Sequence, residues 1–247
     1  AQGYRVLFYP FLFMHVEAGN TLPNPYSDNA ATAGQPVFPW RGRITCSPAA
    51  GFAGSVDKTA TAATQVNTFF TRTWGFNRYI QHYAQLCADA GGVDAFLIGS
   101  EMVGMTTIRS NANTYPAVAH LKTLAASVST IMGSGTQVSY AADWSEYNSH
   151  RPADGSGDLY FHLDPLWSDA NIDFIGVDNY LPLSDWRDGS THLDYDPDNG
   201  IVTPHNIEYL KSNVEAGEGF DWFYASSNDR DSQIRTPITD GTYSKPW

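Results

Sequence analysis

The chain has 247 residues, 42% of them apolar and 14% aromatic, which is enough to bury a sizeable core in one large α/β domain. Its 26 acidic and 14 basic residues leave a formal charge of -12, and no stretch gathers Lys or Arg into a stripe that could neutralise phosphates, so nucleic acid is not an expected partner. The two cysteines, Cys46 and Cys87, are too few for a disulfide framework, have no metal-ligand spacing and read as core residues.

The opening run YRVLFYPFLFMHV lacks a basic leader and a small-residue cleavage site and is interrupted by Pro10, so it reads as mature sequence. No run reaches the roughly 18 apolar residues of a membrane span. Four short apolar runs, at residues 5–14, 95–99, 137–142 and 172–177, predict strands buried on both faces. Ahead of the second, Tyr79, Ile80, Tyr83, Leu86 and Cys87 share one helical face, with Gly91 and Gly92 as terminator. Between the second and third, Val118, Leu121, Leu124, Ala125, Val128 and Ile131 recur at helical spacing, and Gly133 stops that helix. Strands alternating with helices predict a βα repeat around a parallel sheet.

Residues 20–55 carry Pro23, Pro25, Pro36, Pro39 and Pro48 with four glycines and must form a long loop at the C-terminal end of the first strand. Segments 144–167 and 181–200 are loops of the same kind. In parallel α/β folds the functional site lies on that face.

Glu101 stands where the second strand leaves the core, a position in which a half-desolvated carboxyl can serve as a general acid. The plainer alternative is a carboxylate that caps the next turn or pairs with Arg109. The third strand exits into Asp143 and Trp144, and the fourth into Asp178, Asn179 and Tyr180, with Asp185 and Trp186 beyond. Acids, amides and indoles alternating on one rim suit a sugar, whose C–H faces stack on rings while carboxylates and amides take its hydroxyls. Against this, Trp144, Trp167 and Trp186 could each simply pack its own loop. With Tyr9 on the first strand, residues Asp143, Trp144, Asp178, Asn179, Tyr180 and Trp186 are the candidate substrate contacts. His15 and His162 have no metal-binding interval and read as satisfied loop histidines. The acidic loop 194–198 reads as solvated, and neither a metal nor a cofactor is assigned. Serine-elbow, dinucleotide and P-loop motifs do not occur.

The segments VLFYPFLFM, NPYSDNAATAGQPVFPWRGRITCSPAAGFAGSVDKTA, GGVDAFLIGSEMVG, YAADWSEY, FHLDPLWSDANIDFIGVDNYLPLSDWRDG and EGFDWFYAS closely resemble the glycoside-hydrolase-like TIM-barrel domain of the large tail-tip proteins of gene transfer agents and related phages. The resemblance implies an α/β fold, a (β/α)8 TIM barrel, formed by residues 1–247 as one domain of a longer tail protein. It also implies an acid/base glutamate after strand four, matching Glu101, and a cleft tyrosine after strand six, matching Tyr180. The hydrolase clan places Asn before that glutamate, whereas this chain has Ser100. Counting the first run as strand three, strands three to six are recognised, and nothing after TPITDGTYSKPW offers a strand-seven glutamate. Asp143 and Asp178 are the in-chain substitutes for that second carboxylate. The resemblance further implies a particle component acting at the bacterial surface with other tail and baseplate proteins, without membrane insertion. It leaves three readings of function: a hydrolase of envelope polysaccharide, an inactive glycan-binding barrel, or an assembly element whose cleft is plugged by its own loops.

Overall fold

The hydrophobic runs form a parallel sheet whose two inner strands are well developed and whose outer two are short. In the computed structural model, residues 3–29, 31–180, 182–214 and 220–239 are described, and the chain divides into two units, 1–179 and 180–247. In the first unit, β1 (Leu7–Phe8), β2 (Ala95–Ser100), β3 (Gln137–Asp143) and β4 (Gly176–Asp178) pair in the order β1-β2-β3-β4, all parallel. Every residue of β2 is buried, as are all of β3 after Gln137, so these two match the expected strands buried on both faces.

The outer strands depart from that expectation. The run 5–14 pairs only at Leu7 and Phe8, because Pro10 has no N–H to offer a ladder, and Leu7 is exposed. Residues 172–175 follow β3 without a regular ladder. There the Asp173 carboxylate accepts from Val138 N at 2.7 Å, and the Ser139 hydroxyl donates to the Phe174 carbonyl. Regular pairing starts at Gly176, where a Cβ would come within 2.6 Å of the Tyr140 carbonyl, so only glycine allows the strands to approach this closely.

Helices α1 (Ala60–Thr71), α2 (Phe76–Asp89) and α4 (Pro116–Met132) pack on the sheet, while α3 (Val103–Thr106) and α5 (Asp164–Trp167) are single turns. The α4 pattern is as the spacing predicts. Pro116 opens it, where a missing N–H costs nothing, Val118, Leu121, Leu124, Ala125 and Val128 are buried, and Gly133 follows at φ 75°. In α2, Ile80, Ala84 and Cys87 face the core, but Leu86 is exposed, because the buried stripe runs through Ala84 and leaves position 86 on the water side. Cys46 and Cys87 are free and buried, as expected of core residues.

Loop 20–55 does lie at the C-terminal end of the sheet. Its 3-10 turn, Arg41–Arg43, is held against α3 through Gly104, where a Cβ would sit 2.7 Å from the Gly42 carbonyl and 2.9 Å from that of Ile44.

In the second unit, α6 (Ile207–Val214) and α7 (Ser227–Asp231) accompany an antiparallel pair, β5 (Trp222–Phe223) with β6 (Thr236–Pro237). Of the segment TPITDGTYSKPW, residues 240–247 lie outside the described residues, as does position 181 of the third long loop. Four parallel strands with helices between them agree with a barrel-like α/β fold.

Gly104→Ala should push the 41–44 turn away from α3. The expected cost is about 1–3 kcal/mol of overpacking, read as a melting temperature lowered by about 3–10 °C. An unchanged melting temperature would show that the turn can yield without loss.

Candidate active site at the end of the second strand

The register between β2 and β3 slips near the end of the pair: Leu97 faces Ser139, but Ser100 faces Ala141. The extra residue re-aims the strand exit. Glu101 follows in left-handed conformation, φ 48°, with its N–H donating to the Ala141 carbonyl at 2.8 Å. For a residue with a Cβ that backbone costs on the order of 1–3 kcal/mol and persists only where its surroundings over-determine it.

Those surroundings are mostly polar and tightly tied. The carboxylate of Glu101, 4% exposed, accepts from the Trp40 indole Nε1 at 2.6 Å and pairs with the Arg41 guanidinium at 3.0 Å. Arg41, 5% exposed, also donates through Nε to the Ser100 carbonyl at 3.0 Å and its hydroxyl at 2.9 Å, and through Nη2 to the Tyr9 hydroxyl at 3.0 Å. Its guanidinium lies over the Phe11 ring, 4.0 Å from the centroid. The Tyr9 hydroxyl donates to Asp178 Oδ2 at 3.0 Å and its oxygen is hydrogen-bonded to the Ser100 hydroxyl. Burial, against the Ser100 hydrogen bond and Arg41, raises Tyr9 to about 12, so it stays a neutral donor.

Asp178 completes the group, with Arg41 Nη2 3.9 Å from its Oδ2. Burial, then a hydrogen bond to Glu101, raises its carboxyl above the usual range, against the opposing pull of Tyr9 and Arg41. Two carboxyls thus face one guanidinium. The pair presents two acceptor groups beside exposed aromatic rings.

The structure brings Tyr9, Glu101 and Asp178 together. Asp143 is in register with Asp178 across β3 and β4, but its carboxylate is committed to its own turn, accepting from the Ser145 N–H at 2.9 Å and the Ser145 hydroxyl. Trp144 is half-buried and Asn179 exposed. Tyr180 and Trp186 belong to the second unit, where Trp186 packs on His192, Tyr195 and Tyr209, with ring centroids at 4.4, 6.3 and 5.9 Å. Trp167 donates to the Tyr147 carbonyl at 2.9 Å, so it and Trp186 pack their own loops. Arg109 pairs with Asp57 at 2.6 Å and Asp154 at 3.0 Å; the arginine that Glu101 uses is Arg41. His15 stacks on Phe38 at 4.9 Å. His162 departs from the expected satisfied histidine: neither ring nitrogen makes a hydrogen bond of normal geometry, and burial lowers it to about 3, so it packs as a neutral ring.

Two features escaped the sequence reading. Trp40 and Arg41 lie about 60 positions before Glu101 in a Pro/Gly-rich loop, and only the WRGR run marks them. Glu146, 1% exposed, accepts from the Thr106 hydroxyl, from Tyr140 at 2.9 Å and from the Asp143 N–H at 3.1 Å. Tyr140 in turn accepts from the Met102 N–H at 2.8 Å, so the Glu146 network buttresses the residue next to Glu101. Burial raises Glu146 to about 7 against the pull of these hydrogen bonds.

Two outcomes follow from this geometry. Arg41→Gln leaves a buried carboxylate without its cation and should cost about 3–5 kcal/mol at neutral pH. Denaturant unfolding should show that cost shrinking as acid protonates Glu101 and Asp178; a cost independent of pH would deny the pairing. For Glu146, the native state keeps its proton up to about pH 7 while the unfolded chain releases it near 4.5, so its contribution to stability is full below 4.5 and falls as pH rises to 7. That decline amounts to about 3 kcal/mol, and Glu146→Gln should flatten it; an unchanged stability–pH curve would place the shift elsewhere.

No curated protein matches the chain. Residues 74–247 match the family model described as the GTA TIM-barrel-like domain, a span that includes Glu101, Glu146 and Asp178 and begins after Tyr9, Trp40 and Arg41. That match over more than two thirds of the sequence, together with the parallel βα architecture, establishes that the chain belongs to the GTA TIM-barrel-like domain family, tying it to gene transfer agents.

Proposed function

We propose that this domain is a glycan-binding module of the particle's tail tip, engaging envelope polysaccharide at the recipient cell surface alongside other tail and baseplate proteins, with residues 1–247 acting as one barrel-like domain. The observation that carries this reading is the aromatic shelf beside Glu101. Phe11, Phe13, Phe38 and Trp40 are 51%, 73%, 56% and 42% exposed. They are also tied together: the Phe13 and Phe38 centroids are 6.4 Å apart, Arg41 stacks on Phe11, and Trp40 bonds Glu101. Rings left in water at this density fit the C–H faces of pyranoses, while the neighbouring Asp178 carboxyl, partly open to solvent, offers a partner for sugar hydroxyls.

Hydrolysis is the second reading, favoured by two carboxyls, Glu101 and Asp178, that face one guanidinium at the strand ends. Binding is preferred because Trp40 and Arg41 cover the Glu101 carboxylate.

Purified envelope polysaccharide titrated against the full chain should bind, and Phe13→Ala with Phe38→Ala should weaken it about tenfold, equivalent to about 1.4 kcal/mol. Undiminished binding would remove the shelf from the site. No reducing ends should be released; release that Glu101→Gln abolishes would replace binding with hydrolysis as the function.

A further inference from the structure

The motif EGFDWFYAS takes no part in the site at Glu101. Its residues 218–219 lie outside the described residues, and Phe220 with residues 222–226 lines a cavity of about 410 Å³ within the second unit. The wall is aromatic. Phe220 and Trp222 stack with centroids 4.5 Å apart and planes 12° from parallel, Tyr224 meets Trp222 edge-on at 4.9 Å, and Phe223 adds a fourth ring. The Arg235 guanidinium lies 4.2 Å from the Trp222 centroid and helps hold the indole in place. Four rings around a cavity of this size present flat apolar faces to something smaller than a protein segment.

Two charged residues line the same cavity, and they differ in how far they are committed. Asp185 is saturated: Oδ2 accepts from Tyr224 at 2.6 Å, Gln233 at 2.9 Å and Arg235 at 3.0 Å, and Oδ1 pairs with Arg187 at 3.0 Å. These bonds outweigh its burial and hold the carboxyl below its usual range. Arg230 is the reverse. Its side chain is 63% exposed, and its ion pair among the described residues is a long one, 3.8 Å to Asp231, which is itself 72% exposed. The nearby Asp229 carboxylate is taken up by the Ser226 hydroxyl at 2.8 Å. The charge left available on the wall is therefore positive, carried by a group that recognises carboxylates in a planar, two-pronged fashion.

We propose that this cavity is a binding site for an acidic sugar, a uronate pyranose within an oligosaccharide, whose ring packs on Phe223 and Tyr224, since Phe220 and Arg235 cover the two faces of Trp222, and whose carboxylate pairs with Arg230. The site is independent of the shelf in the first unit and stands whether or not that shelf binds glycan.

Calorimetric titration of the full chain with hexagalacturonate tests it, with cellohexaose as the neutral counterpart of equal length. The acidic hexamer should bind at least tenfold more tightly than the neutral one. Arg230→Gln, a change at an exposed position, should remove that advantage, as should raising the salt concentration. Phe13→Ala with Phe38→Ala should leave hexagalacturonate binding unchanged. Absence of binding, equal affinity for the two hexamers, or indifference to Arg230→Gln would each overturn the assignment. Loss of binding in the Phe13/Phe38 variant would move the acidic-sugar site to the first unit.

Discussion

The C-terminal end of the parallel sheet is organised around one buried guanidinium. Arg41 cannot be left without partners in a site this dry, because a desolvated charge is tolerated only when paired and hydrogen-bonded. Its partners, Ser100, Glu101, Tyr9 and more distantly Asp178, come from the ends of β1, β2 and β4. Loop 20–55, with too many prolines and glycines for regular structure, is thereby fastened to three strands through a single side chain. Trp40 travels with it, its indole folded over Gly42, where any Cβ would fall 2.4 Å from the ring.

The strain at Glu101 makes sense in this setting. A register slip in β2 followed by a left-handed glutamate would be unfavourable alone, yet it is what turns the carboxylate toward Arg41 and Trp40. From beneath, Tyr140 receives the Met102 N–H, and Glu146 receives the Tyr140 hydroxyl, so the backbone next to the strained residue is tied to a buried carboxyl that titrates close to neutrality. Exchange of a proton deep in the core and the exit geometry of β2 are linked by two hydrogen bonds.

The site sets an acid at the exit of a buried parallel strand, and the groups around that acid are committed to one another. Ser100, just before that acid, has its hydroxyl used up by Tyr9 and Arg41. Asp178 shares the Arg41 guanidinium with Glu101. Carboxyls that neutralise an arginine make a rigid polar floor, with exposed aromatic rings beside it.

Much of this was legible in the residues themselves. The buried strand ending on Glu101, the α4 stripe with its Pro116 start and Gly133 stop, and the core cysteines follow from local periodicity and backbone chemistry, which depend on neighbours three or four positions away. The outer strands were overestimated because Pro10 and the close approach at Gly176 are matters of pairing partner, not of apolar pattern. Asp143 and Asp178 looked alike in sequence, each an acid at a strand end. Only the fold decided that one caps its own turn while the other meets Glu101. Trp40 and Arg41 were invisible as site residues for the same reason: an irregular loop has no period to read, and its path is set by where a buried guanidinium finds enough acceptors. The sequence by itself thus determined the βα framework and the acid at its rim; tertiary structure alone chose that acid's partners, because pairing a desolvated charge is a contest among groups distant along the chain.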